Sequence, residues 1–513
     1  MQNRFWNYEL SGEIVIDTTQ PAFSSQLLNV LLIEMGRDEW TQDLPGEIKK
    51  LPNVGRLLSV GEPSKLVSPY FDGHHNVAQA SAFDTSHRIN SSNYAIDRDL
   101  YLETRHFEGA ALKMMDRLPD FQEWMKSDLS DRRRRLFREV AFWSEYLELN
   151  DITAVIFPVI PHQVYDFIIY GLCKSRNIHT LIFDSTNAVI KEVVGISESI
   201  EGIGDPSFGL SIRKMFPLGS EMRVPQNVIE DFWSARPAML SDIDSNALSI
   251  RRTIGRALKL AHSYPTFVNL IQRNRLPTSN KCLETIGLRV RRRSALRRTR
   301  IELSRIQTII NLPENFVFFP LHVQPELAVS PLGGHFEEQV EAVRLAARYL
   351  PSGWKIVVKE HPDQSVFFHR PSGFYEHFTQ ISQVDFVRPD YSVDELIENC
   401  KAVITISGSI GRQALIAGRP VGLLGSTWWS SAPGVFKVST SKMMQKMMAE
   451  LAVWNPPSRE EIDQFTRLLQ MSIFTAVLYG KPDGLSEERS DEVKKTTLLN
   501  IRMIIGSWLS SKH

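Results

Sequence analysis

The sequence predicts an α/β protein built as two parallel-sheet domains joined by a basic helical insert. Short apolar runs alternate with helix-length periodic segments around 150–190 and again around 315–435, the pattern of parallel strands with helical crossovers. In both regions the runs empty into loops rich in His, Lys, Asp, Ser and Gly. Between the regions, residues 251–305 hold fifteen Lys or Arg against two Glu, Glu284 and Glu302.

The size and composition agree with this. A chain of 513 residues, 42% hydrophobic and 23% charged, suits a soluble protein of two or three domains. Basic and acidic residues number 59 each, so no global charge points to nucleic acid, and no such partner is expected. Cys173, Cys282 and Cys400 lie far apart with no metal or redox spacing and read as buried thiols in a reducing compartment. The N-terminus lacks the basic-then-apolar build of a signal peptide, and no apolar run approaches membrane-spanning length. The expectation is a cytoplasmic protein, with the basic insert opening the option of attachment to the inner face of a membrane.

In chain order, Leu27–Glu34 fits a buried strand or a helix end, which periodicity alone does not decide. Residues 35–130 carry polar and aromatic clusters without a clear period. Asp131–Leu149 is a charged helix with Arg132–Arg135 on its solvated side. Ile152–Phe157, Tyr165–Ser175 and Ile178–Phe183 form a strand–helix–strand unit. Residues 204–310 read as the helical insert, its Arg291–Arg293 and Arg297–Arg300 runs being either a solvated face or a patch for an anionic surface or acceptor. Strands follow at Phe316–Phe319, Lys355–Val358, Val384–Arg388, Ala402–Ile406 and Val421–Leu424. Helices are expected at Phe336–Tyr349, at Ser392–Asn399 with Ser392 as N-cap, from about Ile410 to Gly418, at Ser458–Tyr479 and at Lys494–Leu509. The expected domains are 1–203, 204–310, 311–455 and a helical tail, 456–513.

Ligands in open parallel sheets bind beyond the carboxyl ends of the strands. In the first domain those ends carry His162 and Asp184, candidate general bases. In the second they carry His322, Gln324 and Glu326, then Lys359, Glu360 and His361, then Ser407, Gly408 and Ser409. A helix opening after a Ser-Gly-Ser turn presents free N–H groups and partial positive charge to a phosphate. Ser407 also fits a plain N-cap, and Trp428 and Trp429 fit either a sugar or base pocket or core packing. No phosphate-binding P-loop and no dinucleotide glycine fingerprint occurs, which argues against ATPases and dehydrogenases. No clustered carboxylates mark a metal site, and helix dipoles with cationic side chains can neutralise a leaving phosphate without one.

The runs Phe319–Glu326, Ser330–Gly334, Val358–Pro362, Thr405–Gly411 and Ala417–Val421, with Ile160–His162, resemble the bacterial capsule polysaccharide biosynthesis glycosyltransferases. The resemblance spans roughly 150–190 and 315–435. It implies the GT-B architecture, two Rossmann-like domains facing across a cleft, and relatives among 3-deoxy-octulosonic acid transferases with a His-Pro motif. It implies that His361, Ser407 and Ser409 contact the phosphate of a nucleotide sugar, and that a growing surface glycan is the acceptor. No resident cofactor or metal is expected. The nucleotide sugar is a substrate, and a cytidine-monophosphate-linked sugar is one donor the resemblance admits. Other readings are a sugar-nucleotide epimerase, a polyol-phosphate transferase, or a non-catalytic subunit that binds glycan or nucleotide.

Overall fold

The computed structural model describes residues 27–36, 40–61, 68–77, 79–81, 84–85, 94–117, 128–185, 193–215, 293–306, 308–362, 364, 368–478 and 487–512. The first part contains β1 (Leu28–Ile33), α1 (Leu44–Lys49), β2 (Val54–Gly61), β3 (Gly73–Asn76), a small β4–β5 pair (Gln79–Ser81, Asp84–Thr85), α2 (Arg98–Thr104), α3 (Glu108–Met114), α4 (Leu129–Leu149), β6 (Ala154–Phe157), α5 (Val164–Ser175), β7 (His179–Ser185), β8 (Val193–Ser197) and α6 (Pro206–Lys214). After a helical segment at 293–305 come β9 (Phe316–Pro320), α7 (Gln339–Tyr349), β10 (Lys355–Lys359), α8 (Glu376–Thr379), β11 (Val384–Phe386), α9 (Val393–Asn399), β12 (Ala402–Thr405), α10 (Ser409–Ile416), β13 (Val421–Leu423), β14 (Val435–Lys437), α11 (Ser441–Glu450), α12 (Arg459–Ser472), β15 (Phe474–Thr475) and α13 (Glu487–Ser510).

The first sheet has seven strands in the order β15-β8-β7-β6-β1-β2-β3. Strands β7, β6, β1, β2 and β3 are mutually parallel, while β8 and β15 add antiparallel pairs at one edge. The second sheet is parallel throughout, in the order β11-β10-β9-β12-β13-β14. Both sheets run outward in one direction from their first strand and then restart on its other side. That reversal creates a crevice between β1 and β6 in the first domain and between β9 and β12 in the second.

Each sheet is covered on both faces, which explains its near-continuous apolar strands. In the first domain, Leu31, Val155 and Ile182 face α3, α4 and α5, while Leu32, Ile156 and Phe183 face α1 and the α13 residues Ile501, Ile504 and Trp508. In the second, Val317, Ile356 and Ile404 face α7 and α11, while Phe316, Phe318 and Val403 face α9, α10 and α12.

Several expectations change. The helix expected over Ser458–Tyr479 ends at Ser472, because Phe474–Thr475 pairs with β8. The tail is therefore not helical only: it returns to the first domain, where α13 buries Trp508 against the sheet. The helix expected from Phe336 begins at Gln339, after a 3₁₀ turn at Gly334–Phe336. The arginines of α4 are not uniformly solvated, since Arg135 pairs with buried Glu139 at 2.9 Å and Arg132 with Asp116. Residues 216–292, with Arg291, Arg292 and most of the basic stretch, lie outside the described residues, as does Cys282. The segment 293–305 joins the second domain: Leu303 and Ile306 pack on its core, and the Thr299 hydroxyl accepts from Arg370 N at 2.9 Å.

The two domains touch at defined points. Ser430 Oγ donates to Ile203 O (3.2 Å) and Ser431 Oγ to Gly204 O (2.7 Å). Gly204 has φ +80°, and a Cβ there would meet Thr427 O at 2.0 Å, so only glycine allows this approach. Lys113 of α3 reaches Glu338, at the start of α7, at 2.6 Å.

Candidate functional site

The second-domain crevice is built where β10, β9 and β12 end side by side. Lys359 pairs with Pro320 and Val403 with Phe318 in register, so their exit loops share one edge. From β9 the chain passes to buried His322, whose Nε2 lies 3.1 Å from Thr405 Oγ1 of β12. Gly408 N donates to the same hydroxyl at 3.2 Å. Burial, reinforced by the positive charges of His361 and Arg370, pushes the His322 imidazole down to about 3, leaving it neutral.

Strand alternation sends Lys359 and Glu360 to opposite sides. Glu360 turns inward, where its carboxylate accepts two bonds from Arg370, at 3.0 and 2.8 Å, and one from Tyr375 OH at 2.6 Å. It also accepts from His361 N at 2.6 Å. Arg370 in turn donates to His322 O at 2.8 Å and to Gln324 Oε1 at 3.0 Å. One buried ion pair thus ties the β9 and β10 exit loops together. Lys359 is 7% exposed. Burial lowers its pKa, opposed by the charges of Glu360 and Asp390.

The helix α10 opens into this edge. Its N-cap is Gly408, with no side-chain cap bond, which corrects the assignment of Ser407 as cap: Ser407 Oγ instead donates to Ala328 O at 2.7 Å. Gly408 N is held by Thr405 Oγ1 and Gly411 N by Gly408 O (3.0 Å), so the N–H groups of Ser409 and Ile410 are the ones left to solvent or a ligand. Gly408 is required by packing, because a Cβ would lie 2.7 Å from His322 Nε2; its φ of −71° needs no glycine. Ser409 is exposed at the first helical position.

His361 is half-buried at the crevice and Glu326 exposed at its rim. Gln324, expected to meet a ligand, is committed internally: its Nε2 donates to Glu337 O (2.8 Å) and its Oε1 accepts from Arg370. Trp429 is core, with the Gly411 Cβ position 2.4 Å from its ring, while Trp428 is half-buried between the domains.

In the first domain the crevice lies between the ends of β1 and β6. His162 sits in the β6 exit loop with Nδ1 2.7 Å from Ile160 O. Glu34 follows β1 and accepts from Tyr165 OH, in the first turn of α5, at 2.8 Å. Asp184 stands one strand further out, on β7. It lines a small pocket with Ser197, Gly204, Asp205, Trp428 and Ser472, under the contact between the domains. Burial pushes its carboxyl up to about 7, and among the described residues it has no hydrogen-bond partner. Asp184 and His162 therefore occupy different places, one beneath the domain junction and one at the crevice.

Sequence reasoning missed Arg370, Tyr375 and Glu34. Alternation after Lys359 was a signal that Glu360 points inward and needs a cation, but nothing local names Arg370 as that cation. Among the described residues, no group of His, Cys, Asp or Glu is arranged to hold a metal ion, and no helix is long and apolar enough to cross a membrane.

Residues 231–450, a little under half of the chain, match the family model described as "Capsule polysaccharide biosynthesis protein". That segment contains the whole second-domain crevice, and over it the chain is similar to the capsule polysaccharide biosynthesis family, the one its sequence motifs resemble. No curated protein matches the chain. Among solved structures, the chain overlaps the β-Kdo 2,7 transferase KpsC of Thermosulfurimonas dismutans at 12% identity, 72% of this chain, 97% of that chain and a TM-score of 0.27. It overlaps the UDP-GlcNAc 2-epimerase of Methanocaldococcus jannaschii at 11% identity, 87% of this chain, 99% of that chain and a TM-score of 0.25. These overlaps are loose, and transferase and epimerase match alike.

Proposed function

We propose that the protein is a glycosyltransferase that moves a sugar from a nucleotide-sugar donor to a growing capsule or other surface polysaccharide. The observation that carries this is the edge where α10, whose N-cap Gly408 offers no side-chain cap, meets largely buried Lys359 and half-buried His361 at the crevice between β9 and β12. A lysine held largely out of water favours an anion beside it, and a helix N-terminus on the same edge offers N–H groups and positive potential. A phosphate satisfies both. The capsule-synthesis match over the same segment supports the reading.

In this reading the donor phosphate sits against Ser409 N, Lys359 and His361, and Ser407 and Gly408 shape the turn beneath it. Glu326 reaches the donor from the rim, while His322 and Gln324 hold the loops. When the bond to the anomeric carbon breaks, the electron pair goes to a phosphate oxygen whose charge these groups stabilise, so no metal is required. The first domain holds the acceptor and takes its proton, with His162 and Asp184 as the groups expected from the sequence.

The exposed Arg293, Arg297, Arg300 and Arg305, with Ile301 39% exposed, support a further reading that this segment rests on anionic headgroups at the inner face of a membrane.

The experiment is calorimetric titration with cytidine, uridine and guanosine mono- and diphosphates, followed by mass spectrometry of products with the nucleotide that binds, in the presence of a chelator. A donor-derived sugar on a glycan acceptor supports the reading. Epimerised or hydrolysed donor with no transfer favours the epimerase, and no nucleotide binding refutes the donor site.

A further inference from the structure

The loop 321–338, between β9 and α7, belongs to the second domain but is held from both sides. Its Leu327 and Leu332 pack against the core of the first domain. At the same time Leu332 O accepts from Ser426 N at 3.0 Å, and Ala328 O accepts from Ser407 Oγ at 2.7 Å. Those bonds fix the loop to the exits of β13 and β12, and the β12 exit is the turn that opens α10. The end of the loop is tied in as well: Glu337 O accepts from Gln324 Nε2 at 2.8 Å, and Gln324 is bonded to Arg370.

That end is acidic. Glu337 and Glu338 stand side by side just before α7, and α3 of the first domain brings Lys113 to them. The Lys113 ammonium lies 2.6 Å from Glu338 and 3.8 Å from Asp116 of its own domain. Asp116 is also paired with Arg132 of α4 at 2.5 Å. Glu337 accepts from Ser330 Oγ at 3.2 Å, inside the loop. Burial pushes the Glu337 carboxyl up to about 7, opposed by Lys113 and the Ser330 bond and aided by Glu338 and Asp116. Carboxylates of both domains thus gather at one junction, and Lys113 stands between the two sides. Without its charge, like charges would face each other across the contact.

We infer that the loop 321–338 couples closing of the two domains to the donor turn, with Lys113 as the positioning residue that draws the first domain onto it; this rests on the glycosyltransferase reading. Leu327, Leu332 and the Lys113 contact hold the loop from the first domain. The loop in turn holds Ser407 and, through Gln324, the Arg370 scaffold. A nucleotide bound at that turn favours the closed arrangement, and closing strengthens nucleotide binding by the same factor. Lys113 reaches the donor side only through the loop, so its effect on the nucleotide measures the coupling.

The test is calorimetric titration with the cytidine, uridine and guanosine nucleotides, together with thermal unfolding, for Lys113→Glu, Lys113→Arg, Glu338→Lys and the double variant Lys113→Glu/Glu338→Lys. Glu338 makes no side-chain cap bond to α7, so its replacement removes no cap. Lys113→Glu should weaken nucleotide binding at least about fivefold, the low end of coupling between distinct sites. Glu338→Lys should weaken it about threefold, within the range of a partly exposed pair. Lys113→Arg should stay within about twofold of wild type, and so should the double variant, in which opposite charges meet again. A merely structural role lowers the unfolding temperature and is not restored by reversing both charges. Lys113→Glu affinity within twofold of wild type overturns the inference, as does a loss that the double variant does not recover. Should Lys113→Glu not fold, Glu338→Lys affinity within twofold of wild type overturns it in the same way. Wild-type protein that binds none of these nucleotides refutes the donor site instead, so the two failures are told apart.

Discussion

Glu360 and Arg370 form a two-point ion pair, 3.0 and 2.8 Å, with side-chain exposures of 1% and 0%. Such a pair survives burial only when its remaining groups are bonded, and here they are: Tyr375 OH and His361 N complete the carboxylate, and His322 O and Gln324 Oε1 accept from the guanidinium. It is a scaffold on which the donor-side loops are set.

Removing one partner should therefore act on both stability and binding. Arg370→Leu leaves Glu360 buried and unpaired, which should cost about 3–5 kcal/mol. Nucleotide affinity should fall along with it, since the His361 and His322 loops lose their shared tether. Chemical denaturation and calorimetry check this, and wild-type stability in Arg370→Leu contradicts the described pair.

Ser409→Asp separates site from scaffold. Ser409 is exposed at the first position of α10, where a carboxylate complements the dipole by about 0.3–1 kcal/mol. The fold should hold or improve, while the added charge repels a donor phosphate at the same N–H groups. Expected is an unfolding temperature at or above wild type with at least about tenfold weaker nucleotide binding, about 1.4 kcal/mol. Unchanged affinity places the donor elsewhere.

Asp184 should impose a pH slope on stability. Its folded pKa is about 7 against an ordinary 3.8, so the folded state binds the proton more tightly. Its contribution is full below about 4, declines as pH rises, and is lost above about 7. Asp184→Asn should remove the slope, raising the unfolding temperature relative to wild type at pH 8 but not at pH 4. Equal shifts at both values show that the carboxyl is not held neutral.

The exposed face of 293–305 should respond to salt. Replacing Arg293, Arg297 and Arg300 with Gln should weaken sedimentation with anionic vesicles while leaving transfer to a soluble acceptor unchanged. Wild-type sedimentation should itself fall steeply with salt, since exposed charges are screened over about 8 Å at physiological ionic strength. No difference between variant and wild type on anionic vesicles makes this a solvated face.

What the sequence determined by itself is local. Val155–Phe157 and Val317–Phe319 read as buried strands because both sheet faces are covered, and Gly418, at φ +73°, ends α10 as a glycine should. The exit loops with Lys359, His361 and Ser409 were legible because strand ends are marked by the change from apolar to polar residues. The tertiary structure decided the partners: Ser407 bonds Ala328, 79 positions away, instead of capping its own helix. Glu34 meets Tyr165 across 131 positions, and His322 meets Thr405 across 83. Periodicity and turn chemistry act between near neighbours, so they are written in short stretches. Which buried carboxylate meets which donor depends on how two crevices close, and that is set only when the sheets are packed.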